Sequence, residues 1–296
     1  MLTHPPAVQL LPARDARIAA LIVSTRTRTQ TWRHIMSMTL TTGQLTPGTW
    51  TTKSFRLSKC RLSPCGRFFL YAASDHGNRR DEKSDSRPFA AELGGGLAIS
   101  RLPWLSALTH IQSLSYSGDI TKGKHTLSLD DRRVLFSKFD NLEASPIAHQ
   151  PGWQSLNVAN IPDVLRKPTR TPVRSAHAAV ITSPRTPVQL IATWTNASTP
   201  RFALATEPNT PDAPQIAIKL NATTAWLEPL SGRLLAATRS GELTLYKPPQ
   251  VVQSNAGESL ITLTPIITHD FATLTPKPTA PPGKAIAPLS FAEREC

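Results

Sequence analysis

Short runs of Val, Ile, Thr and aromatic residues, cut at close intervals by Gly- and Pro-containing turns, recur from one end of the chain to the other, while helical periodicity is scarce. Such side chains suit a pleated, half-buried surface, so this pattern predicts antiparallel strands. Segments that read as strands are Ala19 to Ser24, Trp32 to Leu40, Phe68 to Ala73, Val134 to Ser137, Val188 to Thr195, Arg233 to Thr238, Glu242 to Tyr246 and Leu260 to Ile267. Thr41-Thr42-Gly43-Gln44 closes one hairpin, Ser63-Pro64-Cys65-Gly66 another, and Ser231-Gly232 and Ser240-Gly241 bracket a further strand. Gly supplies positive φ in such turns without a Cβ clash, and Pro presets the backbone at their first corner.

Three segments share one design, a polar turn followed by Arg and then an apolar strand: residues 62–71, 129–136 and 229–236. Many propeller blades have this shape, a tight turn feeding an inner strand. At roughly 40 to 50 residues per blade, the chain length allows about five to seven. The expected fold is therefore all-β and β-propeller-like, about five to seven blades of antiparallel strands, with unequal repeat spacing attributed to insertions and a β-sandwich as the competing architecture. Residues 1–275 read as a single domain. Within them, 162–187 reads as a linker or wrapping segment because Pro168, Pro172 and Pro184 remove backbone donors. Residues 276–296 form a Pro-rich tail, expected to be disordered or extended.

Residues Leu62 to Ala73 and Ile99 to Leu108 carry two further motifs. Ser63-Pro64-Cys65-Gly66 leads to Tyr71, and Ser100-Arg101-Leu102-Pro103-Trp104 leads to Ala107-Leu108. On these residues the chain resembles a group of uncharacterised bacterial β-propeller-like (WD40-like) proteins with a Ser-Pro-Asp-Gly turn and a Ser-Arg-Pro-Pro-aromatic motif. The resemblance spans roughly Ala19 to Phe136 and, more faintly, Trp226 to Tyr246. Cys65 stands where the group has Asp and Leu102 where it has Pro. What the resemblance implies is a fold, not an activity.

The net charge of +13 is unevenly distributed. No acid occurs between Asp15 and Asp75 or between Asp163 and Glu207, and the second window holds Arg166, Lys167, Arg170 and Arg174. A basic face raises the encounter rate with nucleic acid or another polyanion, or with an acidic protein. Solvated arginines on strand faces explain the same count, because no basic run is dense. Cys60, Cys65 and Cys296 are too few for a disulfide framework, and reduced thiols are expected; no cofactor or metal is implied. No apolar stretch is long enough to span a membrane and none reads as a signal peptide, so a cytoplasmic protein without membrane insertion is expected.

The common catalytic motifs are absent from the sequence. Gly94-Gly95-Gly96 lacks the Lys-Ser/Thr of a phosphate loop, and Asp130-Asp131 reads as a turn. Asp75 and His76 are the best acid/base candidates, although neighbouring side chains on an extended segment point to opposite faces. Arg101 and Trp104 are candidates for lining a binding mouth, with a turn carbonyl as the alternative partner of Arg101. The leading expectation is a non-enzymatic scaffold binding an unidentified protein through loops on one face of a propeller-like body. The alternatives are a basic polyanion or nucleic-acid binder, using Arg166, Lys167, Arg170 and Arg174, and a hydrolase or lyase with a site at the propeller axis.

Overall fold

In a computed structural model of the chain, the described residues are 4–55, 60–74, 97–111, 125–129, 132–136, 147, 150–157, 160–165, 176–195, 199–207, 215–255 and 257–287. They are almost entirely strand and turn. The first sheet runs in consecutive order through β1 (His4–Pro12), β2 (Ile18–Arg26), β3 (Thr31–Thr39) and β4 (Leu45–Thr51). The second contains β5 (Ser54–Phe55), β6 (Arg61–Leu62), β7 (Phe68–Ser74), β8 (Leu97–Arg101) and β9 (Ala107–Ile111). Here β5 and β6 pair with opposite ends of β7 and act as one interrupted first strand.

A two-stranded ribbon, β10 (His125–Leu129) with β11 (Arg132–Phe136), follows. The next sheet is β12 (Gln154–Ser155), β13 (Ala176–Ile181), β14 (Val188–Thr195), β15 (Arg201–Thr206) and β16 (Ala217–Leu220), again in chain order. The last sheet contains β17 (Thr224–Leu227), β18 (Leu234–Ala237) and β19 (Glu242–Tyr246). A hairpin of β20 (Gln250–Gln253) and β21 (Ser259–Thr262) precedes its outer strand, β22 (Pro265–Asp270). The fold class is all-β and β-propeller-like: four antiparallel sheets of four or five strands with neighbours in chain order, plus two ribbons, among the described residues.

Burial follows strand position. The run Ala19 to Val23 in β2 is buried at every residue, as are all residues of β17 and β18. Continuous apolar runs mark strands covered on both faces, whereas outer strands such as β22 alternate between exposed and half-buried. The chain divides into two compact units. One contains residues 1–4, 11–143 and 274–296, and the other residues 5–10 and 144–273. Leu11, Ile22, Ile35, Phe69, Tyr71 and Ala98 form a core in the first, and Ile161, Leu165, Val180, Ile191, Ala203 and Ala205 form one in the second.

The turn from the first to the second strand of a sheet recurs in one form. The Ala13 amide donates to Ile18 O, the Ser63 amide to Phe68 O and the Glu228 amide to Arg233 O, each at 2.8 Å. Two of these turns are joined to a neighbouring turn of their own unit, the one after β17 to the turn between β13 and β14. The Asp15 amide reaches Pro64 O at 3.0 Å, and Ser183 Oγ reaches Pro229 O at 2.8 Å. Gly66 and Gly232, at φ of 76° and 73°, let the turns close, and a Cβ on Gly232 would stand 3.1 Å from that of Arg185.

Three expectations need correction. Residues 162–187 are not linker throughout, because Ala176–Ile181 is the interior strand β13, paired on both sides. Pro184 lies in the turn after it, where no ladder hydrogen bond is needed. The run Leu260 to Ile267 is two strands, β21 and β22, separated by Leu263 and Thr264. Cys65 is disulfide-bonded, not a thiol, whereas Cys60 keeps its thiol and is buried. The Pro-rich tail has no regular structure over 275–282, then forms a short helix, Gly283–Ile286, with Ala285 buried.

Candidate functional site

Asp75 and His76 lie outside the described residues, as do Arg166, Lys167, Arg170, Arg174, Gly94 to Gly96 and Asp130-Asp131. Arg101, at the end of β8, is bound to the chain itself. Its Nη1 donates to Ala287 O at 2.5 Å and to Ala285 O at 3.4 Å, clasping the C-terminal helix. Trp104 is half-buried and its amide closes a turn on Arg101 O. The two are therefore close in a turn, and the guanidinium meets main-chain carbonyls of the short helix at 283–286 and its C-cap, 184 and 186 positions along the chain.

Two arginines of the first acid-free window also bond main-chain carbonyls. Arg33 donates to the carbonyls of Thr52 and Lys53, and Arg61 to that of Cys60. Burial pushes the Arg33 guanidinium below its ordinary pKa. Arg14 pairs with Asp15 at 2.7 Å, which raises the arginine and lowers the carboxyl.

Two buried groups depart furthest from their ordinary pKa values. Desolvation drives His34 down to about 4 against the opposing effect of the Gly48 carbonyl, and raises Tyr71 to about 12. His34 stacks on its cross-strand partner Trp50 at 4.3 Å, with Nδ1 buried and unpaired. The Tyr71 hydroxyl donates to Leu105 O at 3.3 Å. In the second unit, Trp153 Nε1 donates to Gln150 Oε1, Gln150 Nε2 to Thr224 Oγ1 and Trp226 Nε1 to Pro151 O. These side chains brace the sheets from within.

Among the described residues, three of the six exposed large hydrophobic side chains, Val252, Leu260 and Ile266, lie on the ribbon formed by β19 to β22. The Lys247 amide bonds Thr264 O at its base, where Thr186 Oγ1 donates to Pro249 O at 2.6 Å. At its tip, Ser254 and Glu258 close the turn through reciprocal bonds, with Gly257 at φ 79° and open space within 4 Å of where its Cβ would stand. Val251 and Ile261 oppose each other across the hairpin, Ile261 being buried. On the other face Val252 opposes Leu260, and these two are 40% and 46% exposed. Ile266 in β22 is 38% exposed and Leu230, at the turn before β18, 57%. Sequence reasoning missed this site because it ran β21 and β22 together; the doubled Pro248-Pro249 was the available signal for a bend before a hairpin.

No protein-family model matches the chain, and no curated protein matches it. Among solved structures, it is similar to the β-propeller domain of the Trilobed protease from Pyrococcus furiosus, with 8% identity, a TM-score of 0.29 and coverage of 94% of this chain and 100% of that one. The acylaminoacyl peptidase of Pyrococcus horikoshii follows at 11% identity and a TM-score of 0.21, over 87% of this chain; the match spans 43% of the peptidase. The endo-arabinase from Bacteroides thetaiotaomicron is matched at 11% identity and a TM-score of 0.16, over 88% of this chain and 74% of that one.

Proposed function

We propose that this chain is a protein-interaction scaffold, in which the β20–β21 hairpin and the turn tips projecting from the sheets bind another protein. The exposed Val252–Leu260 pair carries this reading. A two-stranded hairpin is marginal in water on its own, and this one turns an apolar cross-strand pair to solvent instead of spending it on the core. Covering the exposed part of each, 40% of Val252 and 46% of Leu260, is worth about 1 kcal/mol, so the pair adds about 2 kcal/mol to a contact.

A photoreactive amino acid placed at position 252 or 260 should cross-link one defined protein in the cells that make this chain. The double substitution Val252→Ser and Leu260→Ser should abolish capture of that protein by the unlabelled chain. Identical cross-links from the exposed turn residue Thr42 would remove the proposal.

A further inference from the structure

The outer strand of the last sheet, β22, differs from β4 and β16, the outer strands of the first sheet and of the five-stranded sheet that begins with β12. β4 is covered where the Thr49 amide bonds Pro103 O at 3.2 Å and the Leu105 amide bonds Thr49 Oγ1 at 3.0 Å. β16 has four residues and a central Lys219, two devices that discourage pairing. β22 has six residues, pairs only with β19 among the described strands and holds no Lys or Arg; its proline is confined to the first position. Along such an edge every second N–H and C=O points away from the sheet and can accept another strand.

Its side chains set a chemical order. Ile266, Thr268 and Asp270 are exposed at alternate positions, with Ile267 and His269 half-buried between them. Ile266 is the extra residue where the register shifts against β19. Thr268 shares a hydroxyl contact of 3.0 Å with Thr244, its partner across the ladder. Asp270 stands directly opposite Glu242, both exposed. Like charges in that position destabilise a ladder. The pair has no cation partner among the described residues: Glu242 Oε2 accepts Ser240 Oγ, and Asp270 Oδ1 accepts the Ala272 amide. Over 242–270 the ribbon carries Glu242, Glu258 and Asp270 against Lys247 alone, so it is acidic in a chain of net charge +13.

We infer that β22 takes up an extended segment of a partner protein as an added strand, one carrying an apolar residue, a Thr or Val, and a Lys or Arg at successive alternate positions to meet Ile266, Thr268 and the Glu242–Asp270 pair. The main chain supplies affinity and the alternating side chains supply choice, the usual division in strand addition. A second copy of β22 is a poor occupant, because it brings another aspartate and no lysine or arginine to the carboxylates. This inference rests on the protein-interaction reading.

The test pans a phage-displayed library of random dodecapeptides against the immobilised full-length chain and follows the selected peptide by hydrogen exchange. Expected are peptides with the alternating apolar, β-branched and basic pattern, slowed exchange of amides 265–270 on binding, and at least about tenfold weaker binding by Ile266→Lys and by Asp270→Lys. Ile266→Thr keeps the strand propensity and should weaken binding less, which separates edge pairing from misfolding. No enrichment, protection confined to other residues, or a dimer in sedimentation that Ile266→Lys dissolves would overturn it. If the protein cross-linked at positions 252 and 260 is still captured by Ile266→Lys, strand addition falls and the scaffold stands. Loss of cross-links at those positions in the unsubstituted chain removes the scaffold itself.

Discussion

His34 shows how a single residue in this molecule is fixed by what surrounds it. Its ring lies flat on Trp50, and its one partner is the carbonyl of Gly48, a residue with no room for a side chain because a Cβ there would come within 2.1 Å of Pro103 O. Burial favours the neutral imidazole, so the folded-state pKa of about 4 lies below the ordinary 6.5. Between those values the unfolded chain binds the extra proton, and stability present above pH 6.5 is lost as the pH falls toward 4. In urea titrations at about pH 7 and about pH 5, on either side of the ordinary imidazole value, the unsubstituted chain should lose more stability than His34→Gln; equal losses would count against this account. None of this was legible in the sequence, where His34 is one polar residue in an alternating strand. Arg101 was legible as a residue of interest, but its carbonyl partners lie 184 and 186 positions away, beyond the reach of local pattern.

At the level of elements, strand propensity placed Val188–Thr195 and Glu242–Tyr246 with their observed bounds and β2, β3, β7, β11 and β18 with small shifts, because each is bounded by turn residues. It failed between β21 and β22, where the link is Leu263-Thr264 and contains no Gly, Asn or Asp to mark a turn. The one break in that run is Pro265, and a strand tolerates proline at its first position. The turn motif was read at 62–71, 129–136 and 229–236; the first and third copies join the first and second strands of their sheets, and the turn of the second, 130–131, lies outside the described residues. The copy at Ala13–Ile18 and the Ser183-Pro184 turn between β13 and β14 escaped notice, although Arg17 before β2 and the repeated Ser-Pro dipeptide were there to be read. Their mutual bonding makes a comparison possible. Gly232→Ala and Gly257→Ala both force a side chain into positive φ, at about 1–2 kcal/mol, but only Gly232 faces another turn, with contacts of 3.1 to 3.3 Å. Thermal denaturation should show Gly232→Ala the more destabilising by about a further 1 kcal/mol. Equal effects would mean that the turns merely touch.

For the whole molecule, Arg33, Arg61 and Arg101 bond the chain's own carbonyls, whereas Arg166, Lys167, Arg170 and Arg174 lie outside the described residues. Cysteine count misled: too few residues for a framework still allow one bridge. Alkylation should label Cys60 only after unfolding and Cys65 only after reduction, and mass spectrometry of the two peptides checks both. A disulfide-bonded Cys65 also bears on the expectation of a cytoplasmic protein, since such bonds persist mainly in oxidising compartments. The hold of Arg101 on Ala285 and Ala287 has a consequence for biosynthesis. Residues 274–296 group with 11–143, and domains tend to fold as they leave the ribosome. Residues 11–143 therefore complete their unit only after residues 144–273 have been translated, so that unit stays open through the synthesis of the other.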